Sequence, residues 1–364
     1  MFKLLIDTHH HHAAARVLPQ SWLDGFSTSV YEPRRPTDRV EGDFDLSEAE
    51  VLVVRSVTRV DADVLKRAPR LRAVVTCSSG FDHLDVDALR ARGVAWFHGR
   101  GGNAVAVTEW VLWALHRQWG LAYQPSRSLV GRRVIVVGCG AVGACVMAAL
   151  RGLGAEVVAV DPPRGRRDPN FEGVSLEEAL AGGCDALTLH VPRVYAGPDA
   201  THHLIGPSQL EALRGAAVLN AARGGVLDET AAVAERRAGR ISGLWLDTFE
   251  REPEIAAETL ALCDGATPHI AGHSVEGKLK VAWAPMSAVR AHLQLPEIAS
   301  VDLPEIVCPD AFVALDQSSR ALRDGTEFVS LRAQHRRREG QYGGAGTFAD
   351  ALAEVGCSQF SPLL

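Results

Sequence analysis

The sequence predicts an α/β protein, with two doubly wound parallel-sheet domains followed by a small α+β carboxyl-terminal domain. Three observations predict it. Short runs of Val, Ile and Leu recur with helix-patterned stretches between them. The runs fall into two series separated by one long apolar helix. A glycine-rich turn follows the first strand-like run of the second series.

The first series places strands at residues 2–6, 51–55, 73–77 and 94–97, with helices at 61–67 and 85–92. Runs this apolar, bounded by turn residues, suit parallel strands buried on both faces. Residues 103–119 contain neither Pro nor Gly and carry Trp110, Trp113 and Trp119. That pattern reads as one helix in the interdomain region, with its tryptophans as a core stripe. The second series places strands at 133–137, 156–160, 186–190, 217–220 and 244–247. Gly197-Pro198 and Gly206-Pro207 punctuate a surface loop. Beyond residue 284 the pattern loosens, ending in a basic run at 336–338 and a glycine-rich turn at 343–346.

Composition narrows the function classes. A length of 364 residues allows two to three domains. Lys and Arg total 38 against 44 Asp and Glu, a net charge of −6 that argues against a nucleic-acid partner. Apolar residues at 47% and charged ones at 23% fit an ordinary globular chain. Apolar runs such as 134–137 fall far short of the roughly 18 residues that span a bilayer, so no membrane partner is expected. Leu4-Leu5-Ile6 stops at Asp7, which leaves no signal-peptide core. Seven cysteines are scattered without C-x-x-C spacing, which suits free thiols in a reducing cytoplasm. The run His9-His10-His11-His12 invites a metal reading. Neighbouring side chains on a helix diverge by roughly 100°, and on a strand they point to opposite faces, so no metal site is expected.

Gly138-x-Gly140-x-x-Gly143 directly follows the strand at 133–137 and opens a helix. The first glycine permits the tight turn and the second lets backbone approach a pyrophosphate. The third lets helix and strand pack closely, the fingerprint of a Rossmann-type nucleotide site. Asp161 ends the next strand, where a carboxylate accepts hydrogen bonds from ribose hydroxyls and disfavours a 2′-phosphate. NAD is therefore the expected cofactor, although Arg164, Arg166 and Arg167 follow closely and could soften that preference. The fold class is then two Rossmann/flavodoxin-like domains with the small third. A substrate-binding domain takes 1–102 and 267–284, an NAD-binding domain 103–266, and a carboxyl-terminal domain 285–364.

Three polar residues stand at strand ends or in loops of the second half. They are Arg223 in Asn220-Ala221-Ala222-Arg223-Gly224, Glu252 in Asp247-x-x-x-x-Glu252-Pro253, and His269 in Pro268-His269-Ile270-Ala271-Gly272. In an open parallel sheet the ligand crevice lies beyond the carboxyl ends of the strands, where these would converge. Arginine can grip a carboxylate through two donors, and histidine can take a hydroxyl proton while a carboxylate orients it. Read singly, a surface Arg, an exposed Glu before Pro and a hydrogen-bonded core His would account for them.

Together these segments resemble the D-2-hydroxyacid dehydrogenase family. The resemblance implies that Arg223 binds substrate, Glu252 pairs with His269, and His269 is the proton donor or acceptor. It sharpens towards the branch that oxidises 4-phospho-D-erythronate. The carriers are Val54-Arg55-Ser56-Val57-Thr58, Gly80-Phe81-Asp82-His83-Leu84-Asp85, Gly102-Asn103-Ala104-Val105-Ala106-Val107 and Asp161-Pro162-Pro163-Arg164. Thr267-Pro268-His269-Ile270-Ala271-Gly272 and the characteristic Ser274-Val275-Glu276-Gly277-Lys278 add to them. Towards the end of the chain Glu327-Phe328, Leu331-Arg332 and Arg337-Arg338-Glu339 are similar to a dimerisation domain of that branch.

The resemblance implies that Ser56, Ser78 and His273 contact substrate and that Asp247 and Gly272 line the cofactor site. Arg55 is our own assignment as a phosphate partner. It further implies a homodimer in pyridoxine biosynthesis whose product is 2-oxo-3-hydroxy-4-phosphobutanoate. The chain departs from the branch's pattern in four places. His9 to His12 replace an Asp-Glu-Asn-like segment, Ser78 a threonine, His273 a tyrosine and Val191 a threonine. Two other functions stay open at this stage. One is a generic D-2-hydroxyacid dehydrogenase or 2-oxoacid reductase working on glyoxylate, hydroxypyruvate or 3-phosphoglycerate; the other is a non-catalytic NAD-binding scaffold.

Overall fold

The computed structural model describes residues 1–7, 20–31, 46–56, 58–121, 129–298, 309–324 and 328. The described chain divides into two compact units. The first draws on residues 1–103 and 275–304, and the second on residues 104–274 and 305–363.

The first unit is built on five strands: β1 (Phe2–Asp7), β2 (Phe26–Tyr31), β3 (Val51–Val54), β4 (Ala73–Thr76) and β5 (Ala95–His98). They lie in the order β2-β1-β3-β4-β5, all parallel. This is the flavodoxin-like order, with the direction of winding switching between β1 and β3. Strands β3 and β4 are buried along their whole length, as parallel strands covered on both faces must be. The sequence reading omits β2. Its Phe-Ser-Thr-Ser-Val-Tyr sets three consecutive polar residues in the middle of the strand, which suits a sheet edge and not a doubly buried strand. Helix α1 (Gln20–Leu23) precedes it. The sequence places α2 (Ala62–Arg67) and α3 (Val86–Ala91) well, and Asp61 and Asp85 cap their first turns.

The second unit opens with α4 (Ala104–Gln118), which carries Trp110 and Trp113 fully buried in this unit's own core. The Trp110 indole donates to Thr267 Oγ1 at 2.8 Å, and Trp113 packs edge-on against Trp245. Six strands follow: β6 (Arg133–Val137), β7 (Glu156–Val160), β8 (Ala186–Leu189), β9 (Ala217–Asn220), β10 (Gly243–Leu246) and β11 (Gly265–Ala266). Their order, β11-β10-β9-β8-β6-β7, repeats the first sheet's winding with one strand more, and every pair is parallel. The switch lies between β6 and β8. Strand β11 is only two residues, Gly and Ala, too short and too small to register as a hydrophobic run.

The chain re-enters the first unit at 275, not at 267. Residues 267–271 are held inside the second unit by Asp247. Helix α11 (Val275–His292) then runs unbroken past residue 284 and through Pro285. Its register is fixed by Arg290, which is 3% exposed and whose hydrogen-bond partners among the described residues are all backbone carbonyls. The guanidinium donates to the carbonyls of Trp22 at 3.0 Å, Asp24 at 2.6 Å and Pro296 at 2.9 Å. A planar five-donor fork can satisfy several carbonyls at once, which is why a buried cation is tolerated here. Helix α12 (Pro309–Arg323) belongs to the second unit, where Ser319 Oγ accepts from the Ala266 amide. The histidine run 9–12, the segments around 327, 331–332 and 336–339, and most of 285–364 beyond α12 lie outside the described residues. Among the described residues no helix is long and apolar enough to cross a membrane. Nor do any three His, Cys, Asp or Glu side chains among them gather as metal ligands.

Candidate active site

The cofactor cradle is built from a turn only glycine can make. Gly138 sits at φ +88°, and a Cβ there would lie 2.6 Å from the His190 carbonyl oxygen and 2.7 Å from Val191 Cγ1. A Cβ on Gly143 would collide with the Gly138 carbonyl, so the helix α5 (Ala141–Gly152) can start this close to β6 only with glycine there. Gly140 behaves differently. It is exposed, caps α5 without a side-chain hydrogen bond, and a Cβ on it would meet nothing within 4 Å. The amino end of α5 therefore has open space at Gly140, which fits a pyrophosphate at the positive end of a helix.

Asp161 holds this cradle from the end of β7. One carboxylate oxygen accepts from the Cys139 amide at 2.8 Å, and the other caps α6 (Pro162–Arg167) through the Arg164 amide at 2.9 Å. The three following arginines are engaged locally. Arg164 donates to the Cys139 carbonyl and stacks over Phe171, Arg166 pairs with Asp199, and Arg167 donates to the Pro163 carbonyl. None of them has to be recruited to a 2′-phosphate, and a carboxylate at the strand end disfavours one.

His269 and Glu252 lie within hydrogen-bond distance of each other. His269 Nδ1 lies 2.7 Å from Glu252 Oε2, and Glu252 Oε1 accepts from the Phe249 amide at 2.8 Å. A carboxylate only accepts, so Nδ1 carries the hydrogen and the neutral ring presents Nε2 as a bare acceptor. His269 adopts φ +54°, a left-handed conformation unusual for a residue with a Cβ. Asp247 imposes it. Its carboxylate accepts from Thr267 Oγ1 at 2.6 Å, the Ile270 amide at 2.8 Å and the Ala271 amide at 3.0 Å. Its own carbonyl takes the His269 amide at 2.8 Å. Asp247 is 1% exposed; burial pushes its carboxyl up, and His269 and these hydrogen bonds pull it back. Its acceptor capacity is spent on the histidine loop, a role the sequence reading did not assign to it.

Arg223 follows β9, and its loop is shaped by Asn220, whose side chain accepts from the Ala222 amide and donates to the Arg223 carbonyl. Gly224 brings this loop onto the glutamate segment: a Cβ on Gly224 would collide with the Phe249 carbonyl. The Asn-x-x-Arg-Gly and Asp-x-x-x-x-Glu-Pro segments thus touch through a position with no room for a side chain. Gly272 and His273 continue the histidine loop, and the His273 amide donates to the Ile270 carbonyl.

The other expected substrate contacts belong to the first unit. Arg55 and exposed Ser56 follow β3, with the Arg55 carbonyl taking the Thr58 amide. Ser78 lies in the loop after β4, its hydroxyl donating to the Gly80 carbonyl at 2.7 Å. Sequence reasoning missed His190, at the end of β8 beside Gly138. Its Nε2 lies 3.0 Å from Thr188 Oγ1, and its Nδ1 is shut off from solvent with no partner. Buried Thr58 and Thr248 likewise carry hydroxyls without partners. A His ending an apolar strand was the available signal, but it reads equally well as strand.

Two predictions follow from this geometry. Gly224→Ala forces the arginine and glutamate loops apart, so kcat/KM should drop by about 100-fold, the cost of an ångström-scale misplacement. The circular dichroism spectrum should stay unchanged; undiminished turnover would disprove the coupling. Burial pushes His190 down to about 3 from its ordinary 6.5. Between those values the unfolded chain binds the extra proton, so stability falls as pH falls, by up to about 1.4 kcal/mol per pH unit. Urea midpoints of His190→Gln between pH 6.5 and 4 should decline less steeply than those of wild type, and equal slopes would remove the assignment.

Residues 104–271 match the family described as D-isomer specific 2-hydroxyacid dehydrogenase, NAD binding domain. The erythronate-4-phosphate dehydrogenase of Salinibacter ruber is 41% identical over 251 residues, which are 68% of this chain and 63% of that protein. The enzyme of the same name from Azotobacter vinelandii is 42% identical over 260 residues, 71% of this chain and 67% of its own. The chain thus spans 63% and 67% of the length of these two relatives. Among solved structures, the D-lactate dehydrogenase of Aquifex aeolicus, complexed with NAD and lactic acid, shares the fold. It has a TM-score of 0.60 at 24% identity and covers 80% of this chain and 95% of that one. With its glycine turn, its Asp161 and its His269–Glu252 pair in place, the chain belongs to the D-isomer specific 2-hydroxyacid dehydrogenases, among the erythronate-4-phosphate dehydrogenases.

Proposed function

We propose that the protein oxidises 4-phospho-D-erythronate at C2 to 2-oxo-3-hydroxy-4-phosphobutanoate, a step of pyridoxine biosynthesis. The observation that carries this reading is the 2.7 Å bond between His269 and Glu252, which leaves Nε2 as an acceptor. Arg223 takes the substrate carboxylate through its paired donors. Nε2 of His269 takes the C2 hydroxyl proton as the C2–H bond breaks and the C2 carbonyl forms. Glu252 stabilises the imidazolium that results. Bound NAD supplies the acceptor for the hydride that leaves C2. Gly138, Gly140 and Gly143 would hold its pyrophosphate and Asp161 its ribose, while Asp247 and Gly272 carry the loop assigned to its nicotinamide end. Arg55, Ser56, Ser78 and His273 are proposed as further substrate contacts, Arg55 for the phosphate.

In the reverse direction the imidazolium donates to the carbonyl, so one residue serves both directions. The alternative, a general 2-hydroxyacid dehydrogenase, is favoured by Val191. It packs beside Gly138 and offers no hydroxyl where the branch carries threonine. The free thiols among the described residues suit a cytoplasmic location.

NADH formation should be faster with 4-phosphoerythronate than with lactate, glycerate or 3-phosphoglycerate; a preference for unphosphorylated acids would instead select the general dehydrogenase. His269→Ala should lower kcat by about 10²–10⁴-fold while NAD still quenches tryptophan fluorescence. Unchanged turnover would sink the mechanism. The homodimer proposed through residues 285–364 predicts a dimer mass in light scattering, and a monomer at micromolar concentration would remove it.

A further inference from the structure

The loop after β4 contains a chain of hydrogen bonds whose direction is fixed by its end points. Ser78 Oγ lies 2.7 Å from the Gly80 carbonyl oxygen and 2.8 Å from Thr76 Oγ1. Thr76 Oγ1 lies 2.9 Å from His83 Nε2. A carbonyl only accepts, so the single Ser78 hydrogen points at Gly80. Thr76 must then donate to Ser78. Having spent its one hydrogen, Thr76 accepts from His83, whose proton therefore sits on Nε2. Reversing the chain would turn the Ser78 hydrogen towards Thr76. Two oxygens, Ser78 Oγ and Gly80 O, would then face each other at 2.7 Å with no hydrogen between them, a contact that costs free energy when it is shielded from water. Thr76 is fully buried, so no solvent molecule relaxes the arrangement at its centre.

We propose that Thr76 and His83 are positioning residues that hold Ser78 as an acceptor only, so that the substrate group bound by Ser78 is a hydroxyl. With its hydrogen on Gly80 and one lone pair taken by Thr76, Ser78 Oγ has one lone pair left. A carboxylate or phosphate oxygen would meet that lone pair with another and be repelled. A hydroxyl would donate into it. The inference rests on the proposed function, in which the C2 hydroxyl gives its proton to His269; the hydroxyl for Ser78 is then the one on C3. Specificity for a 2,3-dihydroxy acid over its 3-deoxy counterpart follows, because an unfilled acceptor discriminates against a ligand that lacks the donor.

The surrounding loop is braced to keep this geometry. Ser79 Oγ lies within hydrogen-bond reach of the Gly99 carbonyl and Asn103 Oδ1, and His98 Nδ1 meets the Ser79 carbonyl at 2.8 Å. These contacts fix the backbone that follows Ser78. The relay fixes its hydrogen.

The test compares 4-phosphoerythronate with 2-hydroxy-4-phosphobutanoate, which lacks only the 3-hydroxyl, in wild type, Thr76→Val, Ser78→Ala and the double variant. Thr76→Val removes one donor from a near-isosteric side chain. With the Ser78 hydrogen no longer barred from the Thr76 side, KM for 4-phosphoerythronate should rise by up to about 10-fold, the worth of one hydrogen bond. The substitution should leave kcat within about 3-fold and KM for the deoxy acid unchanged. In the Ser78→Ala background the same change should have no further effect on KM. Equal effects on both acids, or additive effects in the double variant, would overturn the proposal. Should Thr76→Val fail to fold, Ser78→Ala alone decides: it should penalise only the acid bearing the 3-hydroxyl, and equal losses mean that Ser78 serves an anionic oxygen. Nitrogen-15 NMR should place the His83 proton on Nε2, and a neutral ring protonated on Nδ1 reverses the relay. If wild type ignores 4-phosphoerythronate, the proposed function fails by itself, and glycerate against lactate supplies the same hydroxyl comparison for the inference.

Discussion

The buried carboxylate of Asp247 is the constraint on which the catalytic half depends. Taking a carboxylate out of water costs several kcal/mol, and only multiple hydrogen bonds make that tolerable. Here they come from Thr267, Ile270 and Ala271, three residues of one five-residue loop. The loop can meet all three demands only by turning tightly, and His269 takes up the turn with its positive φ. The penalty of burying one charge is thereby converted into the orientation of an imidazole. The constraint reaches further back, because the Thr267 hydroxyl that donates to Asp247 itself accepts from the Trp110 indole. The tryptophan stripe of α4 is a core feature that also ends on the catalytic loop.

Around that anchor the site is assembled by close approaches. Gly143 meets the Gly138 carbonyl, Gly138 meets His190, and Gly224 meets the Phe249 carbonyl, each at a separation a Cβ would violate. The last two of these contacts join loops of strands that neighbour each other in the sheet, β6 to β8 and β9 to β10. Motifs separated in sequence by tens of residues are thus held in fixed relation by missing side chains. Rigid backbone contacts of this kind suit a reaction that gains most of its rate from positioning.

The sequence made much of this legible, for reasons that differ by element. Strands β6, β7 and β9 match their expected bounds because each carries an unbroken run of Val, Ile, Leu or Ala marked off by polar residues or glycine, even in β7 at the sheet edge. Strand β2 was hidden because it lies at the sheet edge with three polar residues in its middle, and β11 because it has two residues. Among site residues, the pairing of His269 with Glu252 could be anticipated from the chemistry of a proton acceptor. The relay through Thr76 could not, since a threonine ending a Val-rich strand carries no mark of its hydrogen's direction. Asp247 was noticed but given a cofactor role, because sequence shows a carboxylate's position and not what its oxygens accept. How far the first unit runs past residue 284 was equally obscured, since Pro285 suggests a helix break and α11 continues through it.

The polarity of the proposed contacts also bears on direction and specificity. A 2-hydroxy acid and its 2-oxo product differ at C2 by exchanging a donor for an acceptor. A site of fixed polarity would bind one and reject the other. His269 avoids this because its Nε2 accepts when neutral and donates once protonated, with Glu252 bonded to Nδ1 in either state. In the proposed mechanism the residue that changes polarity is therefore the one that meets C2, where the substrate changes polarity. Ser78 faces the opposite requirement. A neighbouring hydroxyl that the reaction leaves untouched is the same donor in substrate and product, and an acceptor locked by Thr76 and His83 binds both equally. Such uniform binding adds affinity without favouring either side of the reaction, so it can set specificity at no cost to reversibility. A mobile polarity at His269 and a locked one at Ser78 follow from the same chemistry.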